Sequence, residues 1–178
     1  MCAIMKTLRS KVEVRNYAQK KVKELSEKAK EKRTFEIIEL LKKNKAFLNA
    51  QKVGLYYPLK DEVNILKIME IFKDKKYYFP KIKNENMDFR KVNDSTSLVI
   101  GKFNIKEPTS SMEIEEEIDV YLIPCLATSG NYRIGHGKGY YDRYFKRLKG
   151  YKIGIVFSEL KDLNVKIDEY DIPMDIIL

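Results

Sequence analysis

Residues Gly130 to Phe145 read GNYRIGHGKGYYDRYF, and this stretch decides the fold. Gly135, Gly137 and Gly139 alternate with His136 and Lys138. Glycines at this spacing let neighbouring backbone N–H groups turn toward one point, because no Cβ obstructs the approach. They run into YYDRYFKRL, where Tyr141 and Phe145 stand four apart on one helical face, as do Arg143 and Arg147. Upstream, Val120 to Pro124 (VYLIP) is an apolar run of strand length. Strand, glycine-rich loop and helix together offer free N–H groups and a positive dipole end to an anion. Arg133 and Lys138 add two cations, so the expected ligand is a phosphate group. The stretch is not a Walker A loop, since no GKS or GKT follows, and its glycine spacing is not that of the dinucleotide fingerprint. The competing reading is a tight strand-to-helix turn that needs glycine for its backbone alone. Asp142 speaks against it: an acid in the first helical turn suits the dipole but repels a bound phosphate. A divalent cation between the two resolves the conflict, and Mg²⁺ is the usual companion of nucleotide phosphates.

Outward from the loop, strands and helices alternate. Residues 5 to about 32 are expected as one helix, with Leu8, Val12, Leu25 and Ala29 at helical spacing and no Gly or Pro. Lys6, Arg9, Lys11 and Arg15 crowd its first turns, against the dipole; they are either solvated or partly turned toward a bound anion. Thr34 is expected to cap a second helix over residues 35–41. Residues 53–57 (VGLYY) form a strand candidate ended by Pro58, and Asp61 or Asn64 caps a helix through Ile65, Ile68, Met69 and Phe72. Glu62 lies at the C-terminal edge of that strand, where open α/β sheets bind ligands; a plain helix-start acid is the alternative. Residues 77–80, 87–92 and 151–157 read as further strands. Phe103, in the polar connection 93–108, is either a core anchor or a stacking surface for a flat ligand. In the tail DEYDIPMDIIL, Asp171 can complete a cation site with Asp142. The alternation implies one α/β domain over residues 1–178, with a mainly parallel open sheet flanked by helices.

Composition sets the outer limits. Hydrophobic content of 44% over 178 residues suits a globular core and excludes disorder. No apolar run reaches the roughly 20 residues that span a bilayer, and MCAIMK is too short for a signal-peptide core, so a cytoplasmic protein is expected. Cys2 and Cys125 provide neither a disulfide framework nor a zinc spacing. His136 is the single histidine, which excludes a multi-histidine metal site; it is either a general base or a loop residue chosen for shape. There is no GxSxG motif. A net charge of +9 favours anionic partners.

RIGHGKGYYDRY resembles the RLGYGGGYYDRF signature of the 5-formyltetrahydrofolate cyclo-ligase family. The weaker blocks YYPLKDEVN, YYFPKI, MDFRKV, FNIKEP, VYLIP and EYDIPMD fall in the family's order, so the resemblance runs over nearly the whole chain. It implies a Rossmann-like fold and an ATP- and Mg²⁺-dependent conversion of 5-formyltetrahydrofolate to 5,10-methenyltetrahydrofolate, with release of ADP and phosphate. Carried over by position, Arg133, Ile134, Gly135, His136, Gly137, Lys138, Gly139, Tyr140 and Tyr141 hold the ATP phosphates, joined by Lys6 and Arg9. Arg133 and Lys138 are the implied catalytic cations. Asp142 and Asp171 are the implied Mg²⁺ carboxylates. Arg9, Tyr57, Glu62, Phe103 and Tyr140 are the implied folate contacts, with Glu62 taking paired N–H groups of the pterin. The chain departs from the pattern in three places: Lys6 lies one residue beyond the family's lysine, ATSGNYR lacks the Phe-Asp before the signature and is one residue shorter, and Leu160 replaces a glutamine. The implied partner is the folate, with or without a polyglutamate tail; no nucleic acid or membrane partner is expected, and the chain is expected to be monomeric. The alternatives are a basic nucleotide- or RNA-binding module and a different ATP-dependent ligase on the same fold. An RNA binder has no need of Glu62 and Phe103 around a pterin-sized slot.

Overall fold

The structure, a computed structural model, describes residues 8–101 and 104–178. Its helices are α1 (Lys11–Glu24), α2 (Glu27–Leu41), α3 (Lys45–Asn49), α4 (Ile68–Ile71) and α5 (Tyr140–Phe145). Its strands are β1 (Lys52–Gly54), β2 (Lys76–Lys83), β3 (Asn86–Val92), β4 (Val99–Ile100), β5 (Lys106–Glu107), β6 (Val120–Pro124), β7 (Ala127–Ser129), β8 (Tyr132–Ile134), β9 (Tyr151–Ile155) and β10 (Ile176–Ile177).

Six strands form the main sheet in the order β10-β9-β6-β1-β2-β3. All neighbours are parallel except β2 and β3, which form an antiparallel hairpin at one edge. Both faces are covered, which is why VYLIP is continuously apolar rather than alternating: every residue of β6 is buried. Val120 and Leu122 pack with α1 and α2, while Tyr121 and Ile123 pack with Tyr144 of α5 on the other face. The chain winds outward from β1 in one direction and outward from β6 in the other. The crevice at the C-terminal ends of these two central strands is the topological switch point, where open α/β sheets place their ligands.

The N-terminal helix differs from the expectation. It is broken at Leu25 into α1 and α2, and each half carries its own serine cap. Ser10 and Glu13 make a reciprocal capping box, and Ser26 Oγ accepts from the Ala29 N–H. The buried stripe of α1 is Val14, Ala18 and Val22, whereas Leu8 and Val12 are exposed. Thr34 lies inside α2 and is no cap; its hydroxyl donates to the Asn64 carbonyl, tying α2 to the loop beyond β1. The helix expected after residue 61 shrinks to α4, four residues without a side-chain cap. Asn64 instead accepts from Leu66 N–H in a local turn, and Asp61 accepts from Gln19 of α1. The direct passage from β6 to the glycine loop is also corrected. A small antiparallel hairpin, β7–β8, stands between them and turns at Gly130.

Candidate active site

The glycine loop leaves β8 at the switch point and enters α5 through Gly139, whose φ of 68° is left-handed. A Cβ there would also lie 2.8 Å from Arg143 Nη1. Gly137 has a φ of 89° and lies against the Arg15 guanidinium. Both positions demand glycine for backbone reasons, and the bend they produce separates two recesses that share one wall.

The outer recess is a slot of about 410 Å³. Tyr56, Tyr57 and Glu62 follow β1; Pro80 and Met87 come from the β2–β3 hairpin; Arg133, the glycine loop, Tyr140 and Tyr141 close the far side. Glu62 is set deep in this slot with its side chain 7% exposed. Its Oε2 accepts from the Leu59 N–H at 3.0 Å, which fixes the carboxylate across a tight turn. Its Oε1 lies 3.3 Å from His136 Nε2, and Asp61 Oδ1 is 3.6 Å from the same nitrogen. The hydrogen bond with Glu62 raises the His136 pKa above its ordinary value; burial opposes this and the nearby Asp61 charge adds to it. The pair thus clasps the loop after β1 to the glycine loop.

The inner recess is small, about 30 Å³, and lies on the other side of Gly137 and Gly139. Lys11 and Arg15 of α1, Arg133, Asp142 and Asp171 line it. Lys11 Nζ bridges Asp168 at 2.8 Å and Asp171 at 2.5 Å. Burial pulls the Lys11 pKa down, but the hydrogen bonds to Asp168 and Asp171 outweigh it and hold it above the ordinary value. Asp142 Oδ2 lies 4.0 Å from Arg133 Nη1, and its Oδ1 accepts from the Ile172 N–H. Arg133 stands between the two recesses, stacked on the Tyr141 ring at 4.8 Å, with its buried Nε lacking a hydrogen-bond partner among the described residues. Burial pushes the Tyr141 hydroxyl up and holds it neutral.

Most residues singled out in the sequence converge here. Gly135 lines the inner recess; His136, Lys138, Tyr140 and Tyr57 line the slot. Ile134 reaches the inner recess, but its side chain is buried in the core. Arg9 lines neither recess: it is exposed, its backbone pairs with the segment around Val165, and its guanidinium lies over Tyr17 at 5.3 Å. Lys6 and Phe103 lie outside the described residues. Leu160, where the family pattern has a polar residue, is fully buried in the core. Of the four basic residues at the start of the chain that could turn toward an anion, Lys11 and Arg15 line the inner recess; what was not singled out is which of the four do so, and the contact between His136 and Glu62. The i,i+4 spacing of Lys11 and Arg15 was the available signal for the first; a pairing across 74 positions had none. A larger open groove of about 1070 Å³ runs along α2 and shares Glu62 with the slot. Its lining mixes lysines with glutamates and converges on no single point.

Asp142 and Asp171 both line the inner recess, and one or two carboxylates are what Mg²⁺ takes beside phosphate oxygens and water; Asp171 Oδ2 is already paired with Lys11, which leaves its Oδ1 for such an ion. They do not suit an all-protein metal cage: no group of three or more His, Cys, Asp or Glu that could hold a metal occurs among the described residues.

Residues 7–178 match the model of the 5-formyltetrahydrofolate cyclo-ligase family. The 5-formyltetrahydrofolate cyclo-ligase of Mycoplasma pneumoniae is 35% identical over 129 residues, 71% of each chain. That of Mus musculus is 29% identical over 153 residues, 74% of each. Among solved structures, 5,10-methenyltetrahydrofolate synthetase of Aquifex aeolicus superposes with a TM-score of 0.83 at 34% identity, covering 94% of this chain and 88% of that one.

Proposed function

The chain belongs to the 5-formyltetrahydrofolate cyclo-ligase family, and from that premise we propose that it closes the 5-formyltetrahydrofolate ring with ATP and Mg²⁺, releasing ADP and phosphate. The observation that carries the reading is the shared wall: Arg133, Gly137 and Gly139 line both recesses. A folate in the slot and a triphosphate reaching the inner recess meet across that wall.

The formyl oxygen is a poor leaving group, so ring closure needs it converted to a phosphate ester. The oxygen attacks the terminal phosphorus and ADP departs. The N10 lone pair then adds to the formyl carbon, the C–O bond breaks, phosphate leaves and the N10 proton is lost, giving the methenyl amidinium. Little covalent work falls to the protein, which aligns two ligands and neutralises charge.

Glu62 takes the paired N–H donors of the pterin side by side on its two oxygens, Oε2 keeping a lone pair beside its bond from the Leu59 N–H. Tyr57 and Tyr140 wall the slot. Arg133 faces the transferring phosphate from between the recesses. Lys138 adds a second cation at the slot. Bound Mg²⁺, held by Asp142 and Asp171, would spread the charge of the phosphate chain.

The test is absorbance during incubation of the purified protein with 5-formyltetrahydrofolate and Mg-ATP. The methenyl product carries an extended conjugated amidinium and absorbs in the near ultraviolet, where the substrate does not. An ATP-dependent rise is expected; a flat trace with both ligands shown to bind would overturn the reading.

A further inference from the structure

We infer that Arg15 of α1 is a direct ligand of the nucleotide's phosphates and the residue that sets the position of the glycine loop. The inference rests on the proposed reading of the inner recess as the phosphate site.

Its geometry has two parts. Arg15 Nε donates to the Gly135 carbonyl at 2.7 Å, tying α1 to the loop across 120 positions of sequence. The rest of the guanidinium lies face-on against Gly137: a Cβ there would stand 3.0 Å from Cζ and 3.2 and 3.3 Å from the two terminal nitrogens. One edge of the fork therefore holds the loop, and the terminal nitrogens are left at the lining of the recess.

Charge separates Arg15 from its neighbours. Of the three cations lining the inner recess, Lys11 is satisfied by Asp168 and Asp171. Arg133 has Asp142 at 4.0 Å and the Tyr141 ring beneath it. Arg15 has no carboxylate within 4.0 Å among the described residues, and Nε makes its one hydrogen bond. Arg15 is partly exposed and has no counter-ion to lose among the described residues, so its terminal nitrogens are available to an anion entering the recess. Phosphate suits them, because a planar fork matches two phosphate oxygens at once. The basic crowding at the start of α1, unfavourable to its own dipole, is then explained residue by residue. Lys11 holds the tail, Arg15 holds the loop and the anion, and Arg9 lies outside both recesses.

Calorimetric titration of wild type, Arg15→Gln and Arg15→Lys with Mg-ATP, AMP and 5-formyltetrahydrofolate tests this. Arg15→Gln is expected to weaken Mg-ATP about tenfold to a hundredfold, the size of a charge-assisted hydrogen bond. AMP and the folate are each expected to change by less than about threefold, because the lost charge-assisted bonds belong to the phosphate chain and a glutamine amide can still donate to the Gly135 carbonyl that Arg15 holds. Arg15→Lys keeps the charge but loses the fork, and should fall between. Mg-ATP affinity in Arg15→Gln within about twofold of wild type removes Arg15 from the phosphates, since the loss of a charge-assisted bond exceeds that. An equal loss for all three ligands, with a lowered melting temperature in both variants, makes it a structural prop and also overturns the inference. A wild-type chain that binds the folate but not Mg-ATP sinks the nucleotide reading itself, a separate failure visible before any variant is made.

Discussion

At the scale of single residues, the site depends on carboxylates whose partners decide what they can do. Glu62 is nearly buried, anchored through one oxygen and clasped by His136 through the other. A pterin reaching Oε1 competes there with the imidazole. Glu62→Gln retains one acceptor and introduces a donor where acceptors are needed. The folate dissociation constant is expected to rise about tenfold or more, with Mg-ATP affinity unchanged; equal loss of both would place Glu62 outside the folate slot. The clasp also has a pH signature. The folded pKa of His136 is raised above its ordinary 6.5, so its contribution to stability is complete below the unfolded pKa and is lost as pH rises through the folded one. The melting-temperature difference between wild type and His136→Gln should therefore be largest near pH 6 and shrink toward pH 8.5. A difference independent of pH would show that the imidazolium is not what joins the two loops. For Asp142, the expected result of Asp142→Asn is loss of Mg-dependent turnover with an unchanged melting temperature; retained full activity removes Asp142 from the site.

At the scale of elements, α1 is the strap over the inner recess, and its start is secured by the Ser10–Glu13 box. Ser10→Ala breaks that box and is expected to cost about 1 kcal/mol of stability, read as a lowered denaturant midpoint with unchanged m-value; no change in midpoint would mean that α1 docks without its cap. The same region shows what a single sequence can reveal. The glycine loop was legible because Gly137 and Gly139 record a backbone requirement in residue identity. The break between α1 and α2 carried no glycine or proline, and its serine cap, Ser26, was masked by helix-forming neighbours. Thr34 looked like a cap but has its tertiary partner in Asn64, 30 positions away. The β7–β8 hairpin was hidden because its strands are three residues each, too short for an alternating pattern. Lys11 and Arg15 could be flagged as a basic face. Only the fold shows that one meets the tail and the other the loop.

At the scale of the whole molecule, alternation of strands and helices implied a parallel sheet, but the order β10-β9-β6-β1-β2-β3 is a tertiary fact that places both recesses at the switch point. The net charge of +9 acts at this scale too. Much of it is lysine on exposed helix faces, and several of these lysines are paired with glutamates one turn away; such pairs add little to stability. The surplus charge instead raises the local concentration of anions before any contact forms. Both proposed ligands are anionic, so kcat/KM should fall as ionic strength rises from about 0.02 to 0.3 M, where the screening length drops below about 10 Å. A folate carrying several glutamates should show a steeper fall than one carrying a single glutamate, because more of its charge lies beyond the slot. If both substrates show the same shallow slope, the basic surface plays no part in capture, and the charge that matters is confined to the recess cations Arg15 and Arg133.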